Sequence, residues 1–255
     1  MRDFIFHNPV KIYFGKGQAR HIAQEVERVE GAVLVVYGGG SIKRNGAYDD
    51  VMAALAGTGR KIIELPGVTP NPRLDKALEG VRLVKEHGVG LILAVGGGSV
   101  IDCAKFISLG SGIGDDEDLW DDYIETGKPA PEGLIPVGVV LTTAATGSEM
   151  GDAAVLTNWE RNRKLGYTSF PLMPRFSVLD PSYLMTLPAE QTVYGFEDMF
   201  CTRVSSISPI RWTTTFPTKS PRESNVIFCV RGERACPIRK IMRLAPMQCG
   251  IPRWL

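Results

Sequence analysis

No run of eighteen apolar residues occurs anywhere in the 255-residue chain, which leaves no candidate for a membrane-spanning helix. The opening MRDFIFHNP lacks the basic, apolar and small-residue zones of a secretory signal. The expectation is therefore a cytoplasmic protein with no membrane partner. No segment of twenty to fifty residues repeats, which removes solenoids and propellers. Cysteine is sparse: Cys103 stands alone in the first two hundred residues, and Cys201, Cys229, Cys236 and Cys249 follow without a C-x-x-C pair, so a structural zinc site is not expected. Histidine is scarcer still, with only His7, His21 and His87. What remains is ordinary for a soluble globular chain, 44% hydrophobic and 22% charged, and long enough to bury a sizeable core.

A formal net charge of +1 conceals an uneven distribution. Residues 201–255 carry eight Arg and two Lys against two acids, while the preceding two hundred hold nineteen bases against twenty-six acids. Clustered Arg can neutralise nucleic-acid phosphates. Here the bases are scattered among Pro, Trp and Ser with no helical spacing and no aromatic platform, so no nucleic-acid partner is expected and the tail reads as solvated and poorly ordered. A junction in composition falls near residue 201.

From residue 31 the chain alternates short apolar runs with amphipathic stretches, the pattern of an α/β fold with a parallel sheet covered by helices. Strands are expected at 32–37, 61–65, 91–95, 134–141 and 176–181, with a hairpin over 153–157 and 164–168. Helices are expected over about 47–55, 74–86, 100–109 and, at its start, 190–200, after which the periodic signal fades. The acidic stretch 115–122 lacks the spaced ligands and central glycine of a calcium loop and reads as a solvated surface loop.

Two apolar strands run into Gly-Gly-Gly-Ser, at Gly38, Gly39, Gly40 and Ser41 and again at Gly96, Gly97, Gly98 and Ser99. Glycine lets backbone approach a phosphate closely, and the free amides of a helix start favour negative charge. Neither turn is the strict G-x-G-x-x-G fingerprint, and each alone is equally a tight strand-to-helix turn. Ser99 with Asp102 also fits a capping box. Two such turns in one sheet, with a Thr/Ser-rich strand end at Thr142, Thr143, Thr146 and Ser148, favour a nucleotide, because ligands collect at the carboxyl ends of parallel strands.

The runs VTPNP around Asn71, AVGGGSVIDCAK over 94–105, TTAATGSE over 142–149 and LDP over 179–181, in this order, closely resemble the iron-containing alcohol dehydrogenases, particularly their butanol dehydrogenase branch. The resemblance covers about residues 3–200. It implies a Rossmann-like NAD(P)-binding domain of the dehydroquinate synthase type over 1–181, the start of an all-helical metal domain over 182–200, and a non-family tail over 201–255. It further implies a primary alcohol or aldehyde as substrate and a homodimer in intact relatives. Carried over residue by residue, Gly97 and Ser99 would hold the pyrophosphate. Thr142 and Thr146 would line the adenine side, Asn71 would meet the cofactor near the cleft, and Lys164 would reach the nicotinamide ribose. On their own, Asn71 reads as a turn former between prolines and Lys164 as a solvated hairpin lysine. The family often has an Asp near position 38, where this chain has glycine, so NADP is expected to be accepted and even preferred over NAD.

The same resemblance implies a divalent metal, iron or zinc, whose first ligands are an Asp and a His four residues apart on one helix face. Asp198 occupies the first position, but the second holds Thr202, and all three histidines precede this region. The expected site is incomplete. Codons for residues 202–208 can be chosen so that one restored base reads His-Ala-x-Glu-Gln-Tyr-Phe, as the family helix does. A frameshift between Phe200 and Arg203, leaving a weakly active or inactive fragment, is the expectation. Two other readings stand beside it: a non-catalytic dinucleotide-binding or interaction module, and an enzyme of the glycerol dehydrogenase type.

Overall fold

A continuous apolar strand can stay buried only if strands flank it and both faces are covered. The computed structural model, which describes Asp3, Ile5 and residues 7–207, meets that demand. Among the described residues eight strands form in chain order: β1 (Lys11–Phe14), β2 (Ala32–Tyr37), β3 (Ile62–Leu65), β4 (Val89–Gly96), β5 (Val137–Leu141), β6 (Ala153–Asn158), β7 (Arg163–Thr168) and β8 (Phe176–Leu179). Six of them make one parallel sheet in the order β1-β8-β5-β4-β2-β3, and β6 and β7 form a separate antiparallel hairpin. The helices are α1 (Ile22–Glu27), α2 (Ser41–Arg44), α3 (Ala47–Ala56), α4 (Leu74–His87), α5 (Gly98–Gly112) and α6 (Ala189–Ile207).

The strand period of two divides the core into two faces. Val33, Val35, Leu91, Leu93 and Val95 pack with Ile22, Val26, Ala47, Val51 and Leu55 of α1 and α3. Leu34, Val36, Ile92, Ala94 and Val139 face α4 and α5. Along α3 the buried residues recur every four positions, and α4 buries Ala77, Gly80, Val81 and Val84 before Gly88 closes it in the left-handed conformation (φ 60°) with its amide on the Val84 carbonyl. Helix α5 is buried nearly all round, Lys105 included, because the sheet, α4 and β6 enclose it.

Chain direction makes the crevice. The chain leaves β2 through α3 to β3 on one side, then crosses back through α4 to β4 on the other, so the carboxyl ends of β2 and β4 diverge at a topological switch point. Both Gly-Gly-Gly-Ser turns lie at those ends.

Four expectations need correction. Residues 119–125 are not a solvated loop: Leu119, Trp120, Tyr123 and Ile124 are buried in a helical turn that the Asp118 carboxylate caps by accepting from the Trp120 and Asp121 amides. The acids around them stay outside and pair, Asp115 with Lys85, Asp121 with Arg161 and Glu117 with Lys128. Ser99 and Asp102 form no capping box; α5 begins at Gly98 after Gly97, and the Asp102 side chain turns inward. Residues 201–207, expected as the start of a poorly ordered tail, instead continue α6 to Ile207. The strand expected over 134–141 is confined to β5, residues 134–136 preceding it as irregular chain. By its contacts the chain divides into two units, Met1–Met199 and Phe200–Leu255. Apart from the helical residues 200–207, the expected tail lies outside the described residues.

Candidate nucleotide site

At the end of β2 the turn is held from below: the Gly67 amide donates to the Gly38 carbonyl at 3.0 Å and the Val68 amide to the Tyr37 carbonyl at 3.1 Å. A side chain at Gly38 would come within 3.1 Å of the Val68 carbonyl, whereas Gly39 faces open space. Lys43, one turn further on, stands 4.7 Å from the Tyr48 ring centre, a cation–π distance, and both Tyr37 and Tyr48 donate their hydroxyls to Glu64. Burial and the Glu64 bond push the Tyr37 hydroxyl up to about 12.

The second turn is tighter. A Cβ on Gly97 would approach the Thr143 side chain to 3.2 Å, while one on Gly98 would meet nothing. Glycine at 97 thus lets the end of β4 and the start of the 142–151 loop close on each other, an approach reinforced by the Thr142 amide on the Gly96 carbonyl at 3.0 Å. The Val100 and Ile101 amides fold back onto the Gly97 carbonyl. The amides of Gly98 and Ser99, in the first turn of a fifteen-residue helix, have no carbonyl within that helix to take. Thr143 and Ser99 are half-buried and Thr146 is exposed beside them.

Below this rim lies a charged brace. The Ser148 hydroxyl donates to one Asp102 carboxylate oxygen at 2.6 Å and the Val155 amide to the other at 3.1 Å. Burial raises the Asp102 carboxyl; these two bonds and the charge of Lys105 oppose it. Lys105, fully buried, donates to the carbonyls of Ser148 (2.8 Å), Gly151 (2.8 Å) and Ala153 (2.9 Å). Three charge-assisted bonds of about 1.5–3 kcal/mol each are comparable with the several kcal/mol needed to bury an ammonium. Desolvation still has the upper hand, because the Lys105 ammonium is pulled down to about 8. Lys105 has no role in the sequence analysis above. Its signal was a single charge inside an apolar helix, which has to find partners.

Asn71 takes a left-handed backbone (φ 56°) between its prolines, and its side-chain oxygen accepts from Lys164 at 2.6 Å. The turn is fixed to the hairpin by the Thr157 amide on the Pro72 carbonyl at 2.8 Å. The structure therefore gathers residues 38–41, 96–99 and Thr142, Thr143 and Thr146 at the ends of three adjacent strands, pairs Asn71 with Lys164, and pairs Asp102 with Ser148. Asp198, by contrast, is half-buried on α6, and burial alone raises its carboxyl. Thr202 is an exposed residue of the same helix. The histidines are dispersed: His7 lies near Phe170, His21 stacks on Tyr13 and His87 lies beside Lys61.

This arrangement has relatives. The profile of the iron-containing alcohol dehydrogenases matches residues 9–181. The chain belongs to the iron-containing alcohol dehydrogenase family. A probable NADH-dependent butanol dehydrogenase 2 of Bacillus subtilis is 50% identical over 199 residues, covering 78% of this chain and 50% of the relative. The NADPH-dependent aldehyde reductase YqhD of Escherichia coli is 39% identical over 200 residues, 78% of this chain and 51% of its own. The solved structure of the NADH-dependent butanol dehydrogenase A of Thermotoga maritima superposes with a TM-score of 0.72 at 46% identity, over 78% of this chain and 49% of that one. The chain spans about half the length of the curated relatives it matches.

The two groups that this family binds fit the chain unequally. Open backbone at Gly98, at the start of the fifteen-residue α5, and at Gly39 after β2 suits a dinucleotide. A metal is not matched: among the described residues no three His, Cys, Asp or Glu side chains come together.

Proposed function

We propose that this chain binds a nicotinamide dinucleotide, NAD or NADP, across the ends of β2, β4 and β5, as the cofactor half of an enzyme that exchanges hydride between a primary alcohol and its aldehyde. The observation that carries the reading is the close approach of the two loops at Gly97, where an added Cβ would come within 3.2 Å of the Thr143 side chain and the Thr142 amide bonds the Gly96 carbonyl, around a helix start with open backbone at Gly98. Gly97, Gly98 and Ser99 would receive the pyrophosphate, Thr142, Thr143 and Thr146 would flank the nucleotide, and residues 38–41 would meet the adenosine ribose. Asn71, held by Lys164, would face the nicotinamide end. The bound nicotinamide supplies the hydride acceptor, and these residues orient it. With glycine at 38 and Lys43 and Arg44 following, no acid of this turn repels a 2′-phosphate, so NADP is accepted beside NAD.

The metal-dependent step is not assigned to this chain, since among the described residues Asp198 belongs to no group of three His, Cys, Asp or Glu side chains. We expect nucleotide binding with little or no alcohol turnover, and we attribute the change of composition near residue 201 to a shifted reading frame. The non-catalytic reading is favoured by the same lone Asp198. Titrating the 255-residue chain with NADH and NADPH, following nicotinamide fluorescence, tests the binding; assaying butanol oxidation tests the turnover. Binding with negligible turnover is expected. Indifference to both nucleotides removes the reading of the site, and brisk turnover removes the claim of an incomplete one. Coding DNA that cannot encode the shifted family helix across codons 200–208 removes the frameshift.

A further inference from the structure

Every hydrogen of the Lys105 ammonium is directed at backbone: Ser148, Gly151 and Ala153 each offer a carbonyl at 2.8–2.9 Å, and the Ser148 hydroxyl stands at 3.4 Å. That leaves no proton for a substrate and no lone pair for base chemistry. Asp102, three residues earlier and so on the same side of α5, fixes Ser148 and Val155. Two charges on one helix thus grip the far end of the 142–151 loop, while its near end rests against Gly97 at the first turn of that same helix.

We propose that Lys105 is a positioning residue for the dinucleotide: its charged ammonium sets the shape of the 142–151 loop, the loop sets nucleotide affinity, and nucleotide and proton therefore bind this chain cooperatively. The inference rests on the nucleotide reading given above. A neutral amine has two hydrogens for three carbonyls and turns its lone pair toward the third, so one grip on the loop is lost on deprotonation. Desolvation brings that event to about 8. The groups acting on the ammonium are Asp102 on its own helix, Glu149 on the loop and Asp152 between the loop and β6, all favouring the charged form; Lys164 of the hairpin acts in turn on Asp102, and the neighbouring Cys103 thiol, pushed up to about 12 by burial, stays neutral. Nucleotide phosphates near the loop add to the favourable charge, so binding raises the affinity of Lys105 for its proton.

The test uses the full chain and NADH, whose pyrophosphate does not titrate between about pH 6.5 and 9.5. Calorimetric titration near pH 8 in two buffers of different ionisation enthalpy is expected to show uptake of a fraction of a proton per NADH. Affinity should fall about tenfold from pH 6.5 to 9.5. Lys105→Met should bind NADH weakly at every pH with no proton uptake, and Lys105→Arg, which cannot lose its charge, should flatten the profile. A merely structural lysine would lower the melting temperature without moving the proton count. Should Lys105→Met fail to fold, the proton uptake of the unmodified chain decides. NADH binding with a flat profile and no uptake overturns the proposal alone; no NADH binding at any pH overturns the site reading and the proposal with it.

Discussion

Glu25 is fully buried, yet its carboxyl is held below the ordinary carboxylate range. Burial pushes it up; the Tyr13 hydroxyl at 2.6 Å, Lys11 at 2.9 Å and Arg28 at 3.2 Å outweigh that push. The residue thereby joins β1 to α1, with Arg175 at the entry to β8 contributing charge at 3.9 Å. A carboxyl depressed in the folded state contributes stability above its unfolded value and loses it as pH falls through the folded one. Glu25→Gln should therefore cost about 1–3 kcal/mol near neutral pH, the loss of charged hydrogen bonds whose basic partners are partly exposed. It should also flatten the decline of stability toward acid. Urea unfolding at pH 7 and pH 4 checks both; an unchanged acid slope would show that the buried carboxylate is not what links folding to protons there. Neither Glu25 nor Lys105 was assigned a role from sequence, because a charge in a chain does not announce its partners. Lys11 and Tyr13 lie twelve to fourteen residues from Glu25, and Ser148 lies 43 from Lys105.

Elements were readable where local pattern decided them and unreadable where distant partners did. The hexapeptide of β2 was placed to the residue, since six buried apolar side chains in a row allow little else. β1 was missed: Lys11–Phe14 is partly exposed throughout and becomes a strand only through pairing with β8, 165 residues away at Lys11 and Phe176. Helix α6 runs past the change in composition near residue 201 because no Gly or Pro lies between Phe196 and Ser208 to break it. Of the glycines, the repeated turns caught attention while two packing glycines did not. A Cβ at Gly138 in β5 would meet the buried Phe176 ring at 2.3 Å, and one at Gly195 in α6 would meet the Ala144 carbonyl at 2.4 Å. Gly138→Val should destabilise the fold by about 1–3 kcal/mol or prevent it, as overpacking of a central strand does. Gly195→Val should push α6 away from the 142–151 loop, weakening NADH binding more than it lowers the melting temperature. Chemical denaturation and NADH titration of each variant separate the two cases. Equal loss of affinity in both would show that general stability, and not the α6 contact, governs the loop.

On the scale of the whole molecule, a dinucleotide and a divalent ion should act differently on this chain. A ligand that binds only the folded state stabilises it by about 2.7 kcal/mol at one hundred times its dissociation constant. If NADH binds at the proposed site, it should therefore raise the melting temperature in a concentration-dependent way. A metal needs several donors converging on one point, and a single monodentate carboxylate in water binds such ions weakly. Burial raises the Asp198 carboxyl, and among the described residues no charged group is seen to oppose that rise. Manganese or iron(II) should consequently leave the melting temperature unmoved, and Asp198→Asn should change neither melting nor metal uptake. An Asp198-dependent rise in melting temperature with either ion would overturn the proposal that the metal site of this chain is incomplete.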